Sequence, residues 1–326
     1  MIVPKTPFEG VAKEDIVDFS GIRYVEFRKT LTPKYSQVWL HVAIYYAAII
    51  VIVLCVCYGQ KKYPVGFWLT IPVGSTIIGY AFAALNLFMH EASHYNLFPK
   101  KNSNDWLANI VLGVMIGMET EYYRSIHFSH HKLIGTKNDT ECSYFEAPTI
   151  RFLVESFVGI RVLKVLVNRR KSIYTNYGID IGKKIIKKNY SVFALAVILH
   201  MAILSAFLFE GYWHMALAWI LGVGFVFPFL AMLRQILEHR TDTAESLIDY
   251  KQVDQGASHR MFGDGFSASV FGAVGFNRHL LHHWDPQISY TRLKDVESYL
   301  INTTLNEELE RNRTTYFKTL IRLIRK

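Results

Sequence analysis

Along much of this chain apolar and polar residues are sorted into long blocks instead of alternating. Four blocks, roughly Val38–Tyr58, Phe67–Met89, Val192–Phe209 and Trp213–Leu233, contain no Asp, Glu, Lys or Arg. Each is close to the ~20 residues that a helix needs to cross a bilayer. In lipid the backbone must satisfy its own hydrogen bonds, so runs of this length read as helices. A core helix of a soluble protein would account for one such run, but four in one chain leave that reading little room. The pattern predicts an all-α integral membrane protein with four transmembrane helices arranged 2+2. A fifth run, Trp106–Met118, is apolar for only about 13 residues. At that length an interfacial or re-entrant segment is expected, not a span.

The polar blocks set the orientation. The loop between the first two runs, GQKKYPVG, carries Lys61 and Lys62, and the one between the last two, EGY, carries no base. All other Lys and Arg lie in the N-terminal, middle and C-terminal segments, which the positive-inside rule places in the cytoplasm with both termini. Residues 1–326 then form a single domain, with cytosolic segments over 90–190 and 234–326. Composition agrees: 51% hydrophobic residues coexist with a formal net charge of +9, and mean hydropathy is +0.16. Nucleic-acid binding is not expected, because the basic segments adjoin membrane spans. They are partly amphipathic, which suits anionic lipid head groups and leaves room for an acidic protein partner. Three cysteines, Cys55, Cys57 and Cys142, define neither a disulfide framework nor a thiolate metal site. The N-terminal stretch lacks the apolar core of a signal peptide.

The chemistry lies in histidines. His90 and His94 follow the second run in LFMHEASHYNLF. His127, His130 and His131 stand in YYRSIHFSHHKLIG, and His279, His282 and His283 in FNRHLLHHWDP. A single His239 follows the fourth run. Residues three and four apart share a helix face, so each group offers several imidazoles in one direction. With four spans, all groups fall on the cytosolic side. A lone catalytic zinc takes about three protein ligands, and nine histidines suit two ions with four or five each. Nitrogen ligation without cysteine argues against an iron–sulfur cluster and is compatible with iron that reacts with O2. The reading is therefore a cytosolic helical cap holding a histidine-rich di-metal site with two Fe per chain. His41, His200 and His214 read as packing residues in or beside spans, and His259, in a polar loop, is assigned no role.

Two other classes stay open at this level. HEASH matches the H-E-x-x-H helix of zinc metalloproteases, with Glu91 as general base, but that site leaves seven clustered histidines unexplained. A histidine-rich metal transporter would place its ligands within the spans, near the midplane.

Taken together, HEASH, the first HxxHH, the histidine of RQILEHR and HxxHH followed by WDPQISYTRL resemble the membrane fatty acid desaturase and hydroxylase superfamily, from about Tyr35 to Leu293. GTKNDTE, after the second box, resembles a stretch found in bacterial-type members. The resemblance implies iron ligation by His90, His94, His127, His130, His131, His279, His282 and His283, with His239 as the additional histidine between the second and third boxes. Gln235, one turn before His239, is a candidate to hold a metal-bound water, and Asp285 to orient a ligand histidine. The implied reaction is O2-dependent desaturation of an acyl-lipid or fatty acyl substrate. A lipid hydroxylase or carotenoid-type oxygenase is the nearest alternative, since the three-residue spacing inside the first box occurs in subfamilies with different substrates. Electrons would come from a separate donor protein, a ferredoxin or b-type cytochrome system. The compact form points to a bacterial inner membrane in preference to the endoplasmic reticulum. GYAFAALNLF and GVGFVFPFL are candidates to line an acyl tunnel or to pack helices closely.

Overall fold

The computed structural model describes residues 8, 10–63, 67–245, 247–250 and 252–325. Residues 1–7, part of the stretch read for a signal peptide, and 64–66 of the first loop lie outside the described residues. Regular structure among the described residues is helical. In chain order the helices are α1 (Tyr24–Lys29), α2 (Tyr35–Lys62), α3 (Thr70–Ser93), α4 (Lys101–Ala108), α5 (Val114–Ile116), α6 (Thr120–Leu133), α7 (Ile150–Phe157), α8 (Ile160–Phe209), α9 (Trp213–Leu221), α10 (Phe227–His239), α11 (Phe266–Phe271), α12 (His279–Trp284), α13 (Leu293–Ile301), α14 (Asn306–Arg311) and α15 (Tyr316–Ile324). A π-helical turn, Gly222–Val226, joins α9 to α10. Four helices are long and apolar enough to cross a membrane: α2, α3, α8 and the continuous Trp213–His239. These are the four runs read from the sequence.

The chain divides into two compact units, each assembled from separate stretches. The first comprises Met1–Val38, His130–Pro148 and Arg234–Lys326, and the second Trp39–Ser129 and Thr149–Leu233.

The second unit carries the apolar helices. Within its most apolar window α3 is 61% buried, whereas α8 is 6% buried. The first is therefore the helix that the others pack against, and α8 turns its side chains outward. Small residues make the contact: a Cβ on Gly79 would meet Val226 at 2.5 Å and the Gly222 carbonyl at 2.9 Å, and one on Gly222 would meet Ile78 at 2.9 Å. Close backbone approach of this kind is what drives helix association where lipid removes the hydrophobic drive. Gly79 of GYAFAALNLF and Gly222 of GVGFVFPFL are thus taken up in packing. The short connector after α8 is pinned by Gln60, which donates to the Gly211 carbonyl (2.6 Å) and accepts from the His214 amide (2.9 Å).

Two departures from straight helix shape this unit. At Gly178 (φ 74°, ψ 172°) α8 breaks, a left-handed position that suits glycine. Ile173 on one side of the break packs with Ile185 and Ile186 on the other, against Tyr122 and Ile126. The basic stretch thereby folds on itself before the span begins. The fifth apolar run also bends: α4 passes through a π-helical turn, Asn109–Gly113, into α5, which ends at Gly117 (φ 75°). Asn109 Oδ1 accepts from the amide (2.8 Å) and hydroxyl (2.7 Å) of Thr120. This stitches the run to the start of α6, and the segment is not among the four helices long and apolar enough to cross a membrane.

The first unit has its own core, in which Tyr24, Leu280, Leu281, Leu293, Val296, Leu300 and Leu309 are buried together. N-terminal, third-box and C-terminal residues thus share one apolar cluster.

Substituting Gly79 with Leu should force α3 away from the Gly222–Val226 turn at a cost of roughly 1–3 kcal/mol. The expected result is a lower melting temperature of the detergent-solubilised protein, measured against Ala83→Leu, on the same helix, as a control.

Candidate metal centre

In the second unit, the end of α3 supplies His90 and His94 and α6 supplies His127. The ring centroids of His90 and His94 are 5.1 Å apart, and that of His127 lies 4.3 Å from His90 and 5.0 Å from His94. The Nε2 atoms of His94 and His127 are 3.0 Å apart. One donor atom from each of the three falls within 4.8 Å of the others. The final carbonyls of a helix need partners, and here these partners fix the histidines. Arg124, one turn before His127 on α6, donates to the carbonyls of Ser93 (2.8 Å) and Ala92 (3.2 Å) and forks onto Asp105 at 2.5 and 2.9 Å. Asn104 donates to the Ala92 carbonyl at 2.9 Å. Tyr123 stacks on His127 with rings inclined by 11°.

In the first unit the last turn of α6 brings His130 and His131, α10 brings His239, and α12 brings His279, His282 and His283. The Nε2 atoms of His239 and His279 are 2.9 Å apart, those of His279 and His283 3.1 Å, and those of His131 and His282 3.1 Å. The His130 ring is 4.9 Å from His239 and 5.4 Å from His283. Donor atoms of His130, His239 and His283 lie within 4.8 Å of one another, as do those of Glu238, His239 and His279.

These spacings fit a metal. Two nitrogens bound at right angles to one ion, each at roughly 2.1 Å, lie about 3.0 Å apart, and the close pairs here are at 2.9–3.1 Å. Protonation states agree. Burial, then the Arg124 charge, pushes His94 down to about 3. Burial and the surrounding imidazoles hold His283 well below its usual range. Both rings are neutral at physiological pH, the form that binds metal.

Sequence reasoning missed the group that aims His130. Asp139 accepts from His130 Nδ1 at 2.8 Å, from the Glu141 amide at 2.9 Å and from the Tyr144 hydroxyl at 2.5 Å. The Nδ1 proton is thereby fixed and Nε2 left as the donor. Tyr144 in turn accepts the Gly135 amide at 2.7 Å. Gly135 (φ 76°) sits where a Cβ would meet the Gly256 backbone at 2.6 Å, so the turn after the second box requires glycine. The signal lay within GTKNDTE, but a spacing of nine residues from His130 has no helical meaning.

The remaining residues singled out in the sequence have the following partners. Asp285 is buried, and among the described residues its carboxylate is met by Arg28 (2.6 and 3.1 Å), Tyr24 (3.0 Å) and Lys13 (3.4 Å), not by a histidine. It anchors α1 to the end of α12, acting on the ligands through the helix that bears them. Gln235 Oε1 takes the Ser143 hydroxyl. His200 is a satisfied packing residue: Nε2 donates to the Met115 carbonyl (2.9 Å) and Nδ1 accepts from Trp219 (3.1 Å). His214 packs between Trp68 and Trp213. His259, assigned no role above, is buried with its ring 4.9 Å from His283, and burial pushes it down to about 3. A lone histidine in a polar loop gives no hint of this.

Asp139→Asn should lower metal affinity by about 10–100-fold, the usual effect of losing a group that orients a ligand; metal content after dialysis checks this. A pH effect follows from His94 and His259. Unfolded, these rings protonate near 6.5; folded, they stay neutral down to about 3. The unfolded state thus binds more protons below pH 6.5, and their contribution, full above that value, is lost as pH falls toward 3. The melting temperature of the metal-free protein should fall between pH 7 and pH 5.

Against known families, the fatty acid desaturase model matches residues 66–317. A search of curated proteins returned no match. The matched region contains all three histidine boxes and His239. With four apolar helices and buried imidazoles spaced for metal, the chain belongs to the fatty acid desaturase family.

Proposed function

We propose that this protein is an O2-dependent di-iron lipid oxidoreductase that introduces a C=C bond into a fatty acyl chain. The observation that carries the reading is the set of buried and half-buried imidazoles whose Nε2 atoms lie 2.9–3.1 Å apart in a chain of the desaturase family. His90, His94 and His127 of the second unit, and His130, His131, His239, His279, His282 and His283 of the first, would hold two irons. Bound iron would supply O2 activation and removal of hydrogen from an unactivated C–H bond.

The chain's own residues do the rest. Asp139 keeps the His130 proton on Nδ1. Arg124 and Asn104 hold the end of α3, and with it the spacing of His90 and His94. Asp285, clamped by Arg28 and Tyr24, holds the end of α12. Burial of these side chains excludes water from the ligands. Electrons would arrive from a separate ferredoxin or b-type cytochrome donor, and the substrate from membrane lipid. The positive-inside pattern supports cytosolic ligands and termini. Exposed Leu163, Val167, Ile179 and Ile181, among the basic residues of the α8 hairpin, support its lying on the lipid surface.

Hydroxylation of a lipid uses the same ligands and differs in the fate of the substrate radical. Family membership favours an oxidase over the HEASH protease. His130→Ala or His282→Ala should abolish product formation and lower bound iron while membrane insertion persists. Full activity with wild-type iron in the double variant would sink the metal assignment. Lipid profiling of expressing cells separates new double bonds from new hydroxyl groups.

A further inference from the structure

One acidic group stands among the first unit's histidines with no role in the reading above. Glu238 precedes His239 on α10, and its side chain is 1% exposed. Its Oε2 lies 3.7 Å from Nε2 of His279, and its donor atom is within 4.8 Å of those of both His239 and His279. On the other side, Oε1 is 3.3 Å from Nε of Arg234, one turn earlier. That contact does not satisfy the carboxylate, because Oε1 makes no hydrogen bond. The Arg234 guanidinium is itself drawn over the Phe276 ring at 4.2 Å. A buried carboxylate offers about four acceptor positions, and leaving them unanswered is costly.

We propose that Glu238 is a metal donor, binding through Oε2 the ion held by His239 and His279. This rests on the reading that the first unit's histidines bind metal. The geometry permits it: with all three donors at roughly 2.1 Å from the ion, the separations of 2.9 and 3.7 Å correspond to angles of about 90° and 125°. The chemistry favours it. Neutral imidazoles leave a divalent ion its full charge in a buried site, and one carboxylate removes part of that charge without bringing in water. A hard oxygen donor also shifts preference toward the higher oxidation state. The metal takes Oε2, the oxygen facing His279, while Oε1 keeps its approach to Arg234.

The competing account is an ion pair between half-buried Arg234 and buried Glu238 with no metal contact. Cobalt(II) loading of the detergent-purified full chain separates the two. In E238Q the visible ligand-field bands of the cobalt protein should change, and cobalt affinity at one of the two sites should fall by about 10–100-fold. Bands and affinity identical to wild type overturn the proposal, including where only the melting temperature falls. If E238Q does not fold, the wild-type protein labelled with 13C-glutamate decides. A labelled carboxylate band should shift on cobalt addition in the infrared difference spectrum, and no shift overturns the proposal. A wild-type chain that binds no cobalt and no iron would instead remove the metal reading itself.

Discussion

Imidazole nitrogens held out of water with their lone pairs a few ångström apart are the constraint from which the rest of the structure follows. Such an arrangement needs every ring neutral, because a second proton would put like charges about 3 Å apart in a medium that screens them weakly. It also needs the rings held against their mutual repulsion until a cation joins them. Burial meets the first requirement and drives His94 and His259 down to about 3. The second is met by groups outside the boxes. Asp139 takes the outer nitrogen of His130, Arg124 and Asn104 take the free carbonyls at the end of α3, and Arg28 with Tyr24 secures Asp285 at the end of α12.

The apolar helices serve the same end by stiffness. Two close-packed elements transmit little play, and the contact of α3 with the Gly222–Val226 turn is as close as backbone allows. Both are continuous with segments that bear histidines: α3 carries His90 in its last turn, and the helix after the Gly222–Val226 turn ends in His239. Helix ends make good supports for metal ligands, because their unpaired carbonyls recruit the polar side chains that then lock the final turn.

The legible and illegible parts divide along physical lines. Membrane helices announce themselves because length and the exclusion of charge are local properties, and all four runs are found as helices. Box histidines are legible because a spacing of three or four has one meaning on a helix. The π-helical turn in the fifth run was not legible, since it depends on Asn109 finding Thr120. The break at Gly178 is half legible: a glycine is visible in the sequence, its left-handed conformation is not.

The sequence by itself thus determined the membrane class, the number of spans and the nitrogen-rich chemistry, all written in composition and short periodicities. Only the tertiary structure decided which groups attend the histidines. Asp139 reaches His130 through a loop closed by Tyr144 and Gly135. Asp285 proves to be bound by an N-terminal segment more than 250 residues distant in sequence. His259, unremarkable in its loop, is buried beside His283. In each case the partner comes from a turn or a remote segment, where sequence spacing carries no geometry and only packing brings the charges together.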